Sequence, residues 1–120
     1  MISVCKTFEF EAAHWLPGYE GDCRNMHGHS YRLHVEVSGP INDATGMVLD
    51  FSILKEIVRN KIISMTDHKV LNDTFPTPTA EVMVDCFSYY LKQALPVGII
   101  LERVRLWETS SSWAEWKRDR

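Results

Sequence analysis

Within seven residues, Cys23-Arg24-Asn25-Met26-His27-Gly28-His29 carries a thiol and two imidazoles. The alternating run Ser30-Tyr31-Arg32-Leu33-His34-Val35-Glu36-Val37 follows directly. Successive strand residues face opposite ways, so His27 and His29 point to one side. Upstream, Phe8, Phe10, Ala12 and His14 share one parity, which ends a strand on His14 and on its mostly apolar face. Antiparallel pairing of the two runs lays the end of the first beside the start of the second. His14, His27 and His29 then meet. Three neutral imidazoles suit zinc, and three protein ligands leave the open position that catalytic zinc requires. Structural zinc would close its shell with a fourth ligand, for which Cys23 is at hand. His34 has the opposite parity and reads as a surface residue.

Five further residues carry chemistry. Cys23 has polar flanks, Gly21-Asp22 and Arg24-Asn25, which argue against core packing. It reads as nucleophile, general base or ligand, and its thiolate would be favoured by a nearby cation. Asp67-His68 resembles an imidazole oriented by a carboxylate, and His is the commonest proton-transfer group; the plain alternative is a His favoured by a helix C-terminus. Glu108 falls on the apolar parity of its strand, where a carboxylate is costly unless paired. Either a core arginine meets it, or it awaits a ligand with an N–C–NH2 edge, which a carboxylate matches in bidentate fashion. Thr79 reads as a helix cap whose hydroxyl is also available to a ligand.

These residues need an α+β scaffold to hold them. A first strand over residues 3–14 and a second from about His29 to Ser38 are separated by a Gly- and Pro-bearing loop. Met47-Val48-Leu49 is expected to be a short extended return. Asp50, with Ser52 as rival, caps a helix whose apolar positions are Leu54, Ile57, Val58 and Ile62. Pro78 disfavours helix at the residue before it, so Thr79 opens the second helix, with Met83, Cys86, Phe87, Tyr90, Leu91 and Ala94 as its stripe. Ile100 to Thr109 alternates again, with Ile100, Val104 and Leu106 on one face, and a short strand around Trp113–Trp116 pairs back. The order is ββααββ: a four-stranded antiparallel sheet with both helices on one face and the other face awaiting cover.

Composition narrows the class. The 120 residues make one domain, 1–120, with the 45% hydrophobic and 24% charged content of an ordinary globular chain. A net charge of −3 with no long basic block argues against nucleic acid as a partner. No apolar run approaches the ~18–20 residues of a membrane span and no signal peptide is evident, so no membrane partner is expected. Three widely spaced cysteines fit a reducing cytoplasm better than a disulfide framework.

Taken in order, Phe8–His14, Cys23–Tyr31, Leu49-Asp50-Phe51, Thr66-Asp67-His68, Pro78-Thr79-Ala80-Glu81 and Glu108-Thr109 resemble the 6-pyruvoyltetrahydropterin synthase family across nearly the whole chain. The closest branch is that of the 6-carboxy-5,6,7,8-tetrahydropterin synthases of queuosine biosynthesis. Three residues separate Cys23 from His27, as in that branch, whereas the pyruvoyl-forming synthases carry a longer gap. The resemblance implies the tunnelling fold (T-fold), a trimer whose sheets close into a barrel, two trimers stacked as a homohexamer, and active sites between subunits. It implies Zn2+ on His14, His27 and His29, proton transfer by Cys23 with Asp67 and His68, and a pterin ring anchored by Glu108 with Thr79 nearby. The implied substrate is 7,8-dihydroneopterin triphosphate, converted to 6-carboxytetrahydropterin, acetaldehyde and triphosphate. The alternatives are a pyruvoyl-forming triphosphate lyase and a non-catalytic zinc- or pterin-binding protein. Arg24, Arg32 and Lys69 are candidates for holding the triphosphate.

Overall fold

A computed structural model describes residues 1–119. Its elements run β1 (Ile2–His14), β2 (His27–Gly39), α1 (Phe51–Val58), β3 (Lys69–Val70), α2 (Ala80–Ala94), β4 (Ile100–Thr109) and β5 (Ser112–Lys117). Alternation in the two longest runs makes the frame. β1 and β2 pair antiparallel from Ile2 opposite Gly39 to His14 opposite His27, so the pair ends on two histidines. Phe8, Phe10, Ala12, Tyr31, Leu33, Val35 and Val37 are buried, while their neighbours Thr7, Glu9, Glu11, Ser30 and Arg32 are exposed. One sheet face is therefore core and the other polar.

β4 adds antiparallel to β2, and β5 to β4, giving the order β3-β1-β2-β4-β5. Leu54 and Val58 of α1, Ile62 after it, and Met83, Val84, Phe87 and Leu91 of α2 share one core cluster with the buried strand residues. Both helices thus cover the same face. The α+β class is as expected, but the sheet has five strands rather than four. The extra strand, β3, pairs parallel with Ala12 and Ala13 of β1.

Asp50 is the cap of α1: its carboxylate accepts the Ser52 amide at 2.7 Å. Past Val58 the helix widens into a π turn, Arg59–Ile63, and closes with one α turn, Ser64–Thr66. Three local expectations are corrected. Met47-Val48-Leu49 forms no strand. On α2 the buried stripe is Ala80, Met83, Val84, Phe87, Ser88 and Leu91, with Tyr90 turned to the surface. A register shift opposite Glu36 and Val37 puts Leu101, not Ile100, in the core and buries Glu102. Glu102 accepts from Arg118 at 2.6 Å and from the Ser38 hydroxyl at 2.9 Å.

Candidate metal centre

Because β1 ends on His14 directly opposite His27, strand pairing alone brings these rings together. His29, two residues into β2, keeps the same face. Glu108, near the end of β4, reaches in from the far side of β2. The ligand atoms of His14, His27, His29 and Glu108 all lie within 4.8 Å of one another. His14 is buried and the other three are half-buried.

The hydrogen bonds around the rings decide where their lone pairs point. His14 Nδ1 is 2.8 Å from the Pro78 carbonyl and His27 Nδ1 is 2.8 Å from the Asn25 carbonyl. A carbonyl only accepts, so each Nδ1 carries the proton and each Nε2 presents a lone pair inward. Those two Nε2 atoms lie 3.1 Å apart. His29 Nε2 is buried and makes no hydrogen bond among the described residues, although Glu108 Oε1 is 2.9 Å away. Convergent lone pairs of this kind are relieved by a cation among them, and imidazoles held by outer hydrogen bonds are the usual setting of a metal ligand. Three nitrogens and a carboxylate oxygen fit zinc.

Electrostatics bind the four together. Burial works against a charged His14, but the Glu108 carboxylate 3.7 Å away and the Pro78 carbonyl outweigh it and raise the pKa. His29 moves the other way, lowered by burial against the pull of Glu108. Glu108 itself is held below the usual carboxylate range, first by His14, against the opposing effect of burial. Burial and the Glu108 charge push the Tyr31 phenol far above its ordinary value. Tyr31 is a residue the sequence did not single out. Its hydroxyl lies 3.4 Å from His14 Nδ1, and only its parity in β2 hinted at it.

The remaining candidates surround this cluster. Cys23 lies in a single 3-10 turn, Asp22–Arg24, half-buried and outside the four-residue cluster. Its carbonyl accepts the Leu16 amide at 2.8 Å, which pins the loop. Asp67 and His68 do touch: Asp67 Oδ1 is 3.0 Å from His68 Nδ1 and also accepts the Glu11 amide at 3.0 Å. His68 adopts a left-handed backbone (φ 58°), rare outside glycine, and its amide donates to the Glu11 carbonyl at 2.6 Å. Glu11 of β1 therefore holds the dyad through both its amide and its carbonyl. His68 and His29 line one cleft of about 430 Å³. Thr79 is the α2 cap, accepting the Val82 amide at 3.1 Å, one residue beyond the carbonyl that holds His14. Glu108 forms part of the wall of a second cleft of about 530 Å³, together with Ala80, Trp113 and Trp116. Among the described residues no arginine meets Glu108; its neighbours are the imidazoles.

Residues 3–119 match the family described as 6-pyruvoyl tetrahydropterin synthase. The chain is 34% identical to the 6-carboxy-5,6,7,8-tetrahydropterin synthase of Haemophilus influenzae, covering 98% of this chain and 99% of that one. It is 39% identical to the enzyme of the same name from Synechocystis, covering 97% and 93%. Among solved structures, the 6-pyruvoyl tetrahydropterin synthase of Caenorhabditis elegans superposes with a TM-score of 0.86 over 98% of this chain and 96% of that one. At 24% identity, that likeness speaks for the fold alone.

Proposed function

This chain belongs to the 6-pyruvoyl tetrahydropterin synthase family, and from that premise we propose that it is a zinc-dependent 6-carboxy-5,6,7,8-tetrahydropterin synthase. Its substrate is 7,8-dihydroneopterin triphosphate. With one water taken up, the products are 6-carboxytetrahydropterin, acetaldehyde and triphosphate, and the cytoplasmic pathway served is that to queuosine. The observation that carries this reading is the convergence of His14, His27, His29 and Glu108, the last of which also lines a cleft of about 530 Å³.

Zinc held by His14, His27 and His29 would supply Lewis-acid polarisation of the substrate's side-chain hydroxyls. The protein's own groups do the rest. Cys23, as thiolate, takes a proton from the side-chain carbon. His68, its Nδ1 fixed by Asp67, leaves Nε2 free to carry a proton to or from the site. Glu108 grips the N–C–NH2 edge of the ring, with the Thr79 hydroxyl nearby. The side chain is oxidised as the ring is reduced, so the reaction is an internal redox exchange and needs no nicotinamide.

Open sheet edges support the homohexamer. β3 covers only Ala12 and Ala13 of β1, and β5 forms the opposite rim. Edges of this length invite pairing with another chain, and a second subunit at either rim brings its residues towards the clefts.

One feature favours a second reading. Four convergent donors, rather than three, are what a structural zinc site uses. Incubating zinc-loaded protein with dihydroneopterin triphosphate and identifying every product by mass spectrometry separates the readings. The 6-carboxy compound with acetaldehyde is expected. A 6-pyruvoyl product would reassign the branch, and unchanged substrate would leave a binding protein.

A further inference from the structure

Resting on the pterin chemistry proposed above, we propose that Glu108 is a displaceable fourth ligand of the metal. It closes the shell while the cleft is empty and is drawn away when a pterin ring enters, vacating the position that the substrate's side chain needs.

The geometry makes one carboxylate answer to two sites. Glu108 Oε1 lies 2.9 Å from His29 Nε2 and 3.7 Å from His14 Nε2, completing a set of four donors within 4.8 Å. Its approach to His29 lacks hydrogen-bond geometry, since that buried nitrogen has no hydrogen-bond partner among the described residues. A carboxylate that approaches the His29 nitrogen this closely without a hydrogen bond to it is placed as a co-ligand. The same residue, Glu108, lines the cleft containing Trp113 and Trp116, and another cleft of about 590 Å³ containing Tyr31 and Trp107. It stands one residue from the end of β4, beside exposed Thr109 and Ser110, and is half-buried. It therefore has room to swing.

Two flat N–H donors on a ring compete for a carboxylate through paired, charge-assisted hydrogen bonds. Ring binding and metal ligation cannot both use Glu108 fully, so occupying the cleft opens the shell. An empty protein keeps its metal closed to water and to stray thiols. A hydroxylated tail gains access only after its own ring is seated. The order of binding is thus written into one residue.

Cobalt-substituted protein tests this, because the visible bands of Co2+ respond to its ligands. The probe is pterin without a side chain, which offers the ring edge and no hydroxyls. In the wild type, adding pterin should shift the bands. In Glu108→Gln, the bands should be shifted from the start and should not respond, and the affinity for Co2+ should fall about tenfold or more. Glu108→Asp, whose carboxylate is one methylene shorter, serves if the first variant does not fold, and it should show the same early shift. Coincident bands in the wild type and the variant would overturn the proposal. So would pterin that binds, by its fluorescence, without moving the wild-type bands, or that fails to bind at all. Turnover of dihydroneopterin triphosphate is scored separately. Product with unmoved bands defeats the ligand exchange and leaves the function standing, whereas moved bands without product defeat the function.

Discussion

Cys23 and the proposed metal ligands are separable at the level of single residues. The thiol lies outside the cluster of His14, His27, His29 and Glu108, on a 3-10 turn of its own. Cys23→Ala should therefore keep its full complement of zinc by elemental analysis while turnover falls about 10²–10⁴-fold, the usual share of a proton-transfer group. Near-normal turnover would remove Cys23 from the chemistry. Asp67 allows a prediction about pH. The Glu11 amide, chiefly, holds its carboxyl below the usual range against the opposing effect of desolvation, and His68 adds to the lowering. A depressed folded pKa adds stability that is complete above the unfolded value of about 3.9 and is lost as pH falls through the lower folded one. Metal-free Asp67→Asn should thus be less stable than metal-free wild type at pH 6, and the gap in urea midpoint should narrow towards pH 3. A gap independent of pH would mean that the charge of Asp67 contributes nothing to folding.

Among the elements, the readable parts were those whose pattern is set by their own sequence. Alternation from Phe8 to His14 and from His29 to Val37 specified two strands, their shared core face and hence the meeting of three imidazoles. Asp50 and Thr79 were legible as caps because a side-chain oxygen before an apolar periodic run has few other uses. What was illegible depends on partners far away in sequence. A two-residue strand such as β3 has no period to detect; it exists because the helix returns the chain alongside Ala12 and Ala13. The π turn at Arg59–Ile63 leaves no signature in its residue types, and the register shift facing Glu36 and Val37 moves Leu101 inward against the local alternation. Glu108 was legible by parity as a carboxylate needing a partner, but the partner's identity came only from the fold. Thr79 can be tested at this scale because it has two proposed duties. Thr79→Ala should cost about 1 kcal/mol of stability through the lost cap and also raise KM for the substrate. Thr79→Ser, which retains the hydroxyl, should restore both in denaturation and steady-state measurements. Loss of stability with KM unchanged would leave Thr79 as a cap alone.

The shape of the whole molecule bears on why the candidate metal centre need not be structural. The described residues extend 54 × 29 × 24 Å with a radius of gyration of 15.4 Å, against about 13.6 Å for an average compact chain of this length. The excess reflects two thirteen-residue strands that project as a long ladder with open rims, a form suited to closing against copies of itself. Its core runs along that ladder through Phe10, Leu33, Val35, Leu54, Phe87 and Leu106, all buried, whereas the metal cluster occupies only one end. Folding is thus carried by apolar burial, and the metal adds to it by mass action. Zinc at about a hundred times its Kd contributes about 2.7 kcal/mol, worth roughly 10 °C in Tm for a chain of this size. Stripping the metal with a chelator should therefore abolish turnover and lower Tm by about that amount. The circular dichroism spectrum and the sedimentation coefficient of the assembly should stay unchanged. Collapse of either on chelation would show that the cation holds the fold together, which is the behaviour of a structural site, and the four-donor cluster would then have to be read as permanently closed.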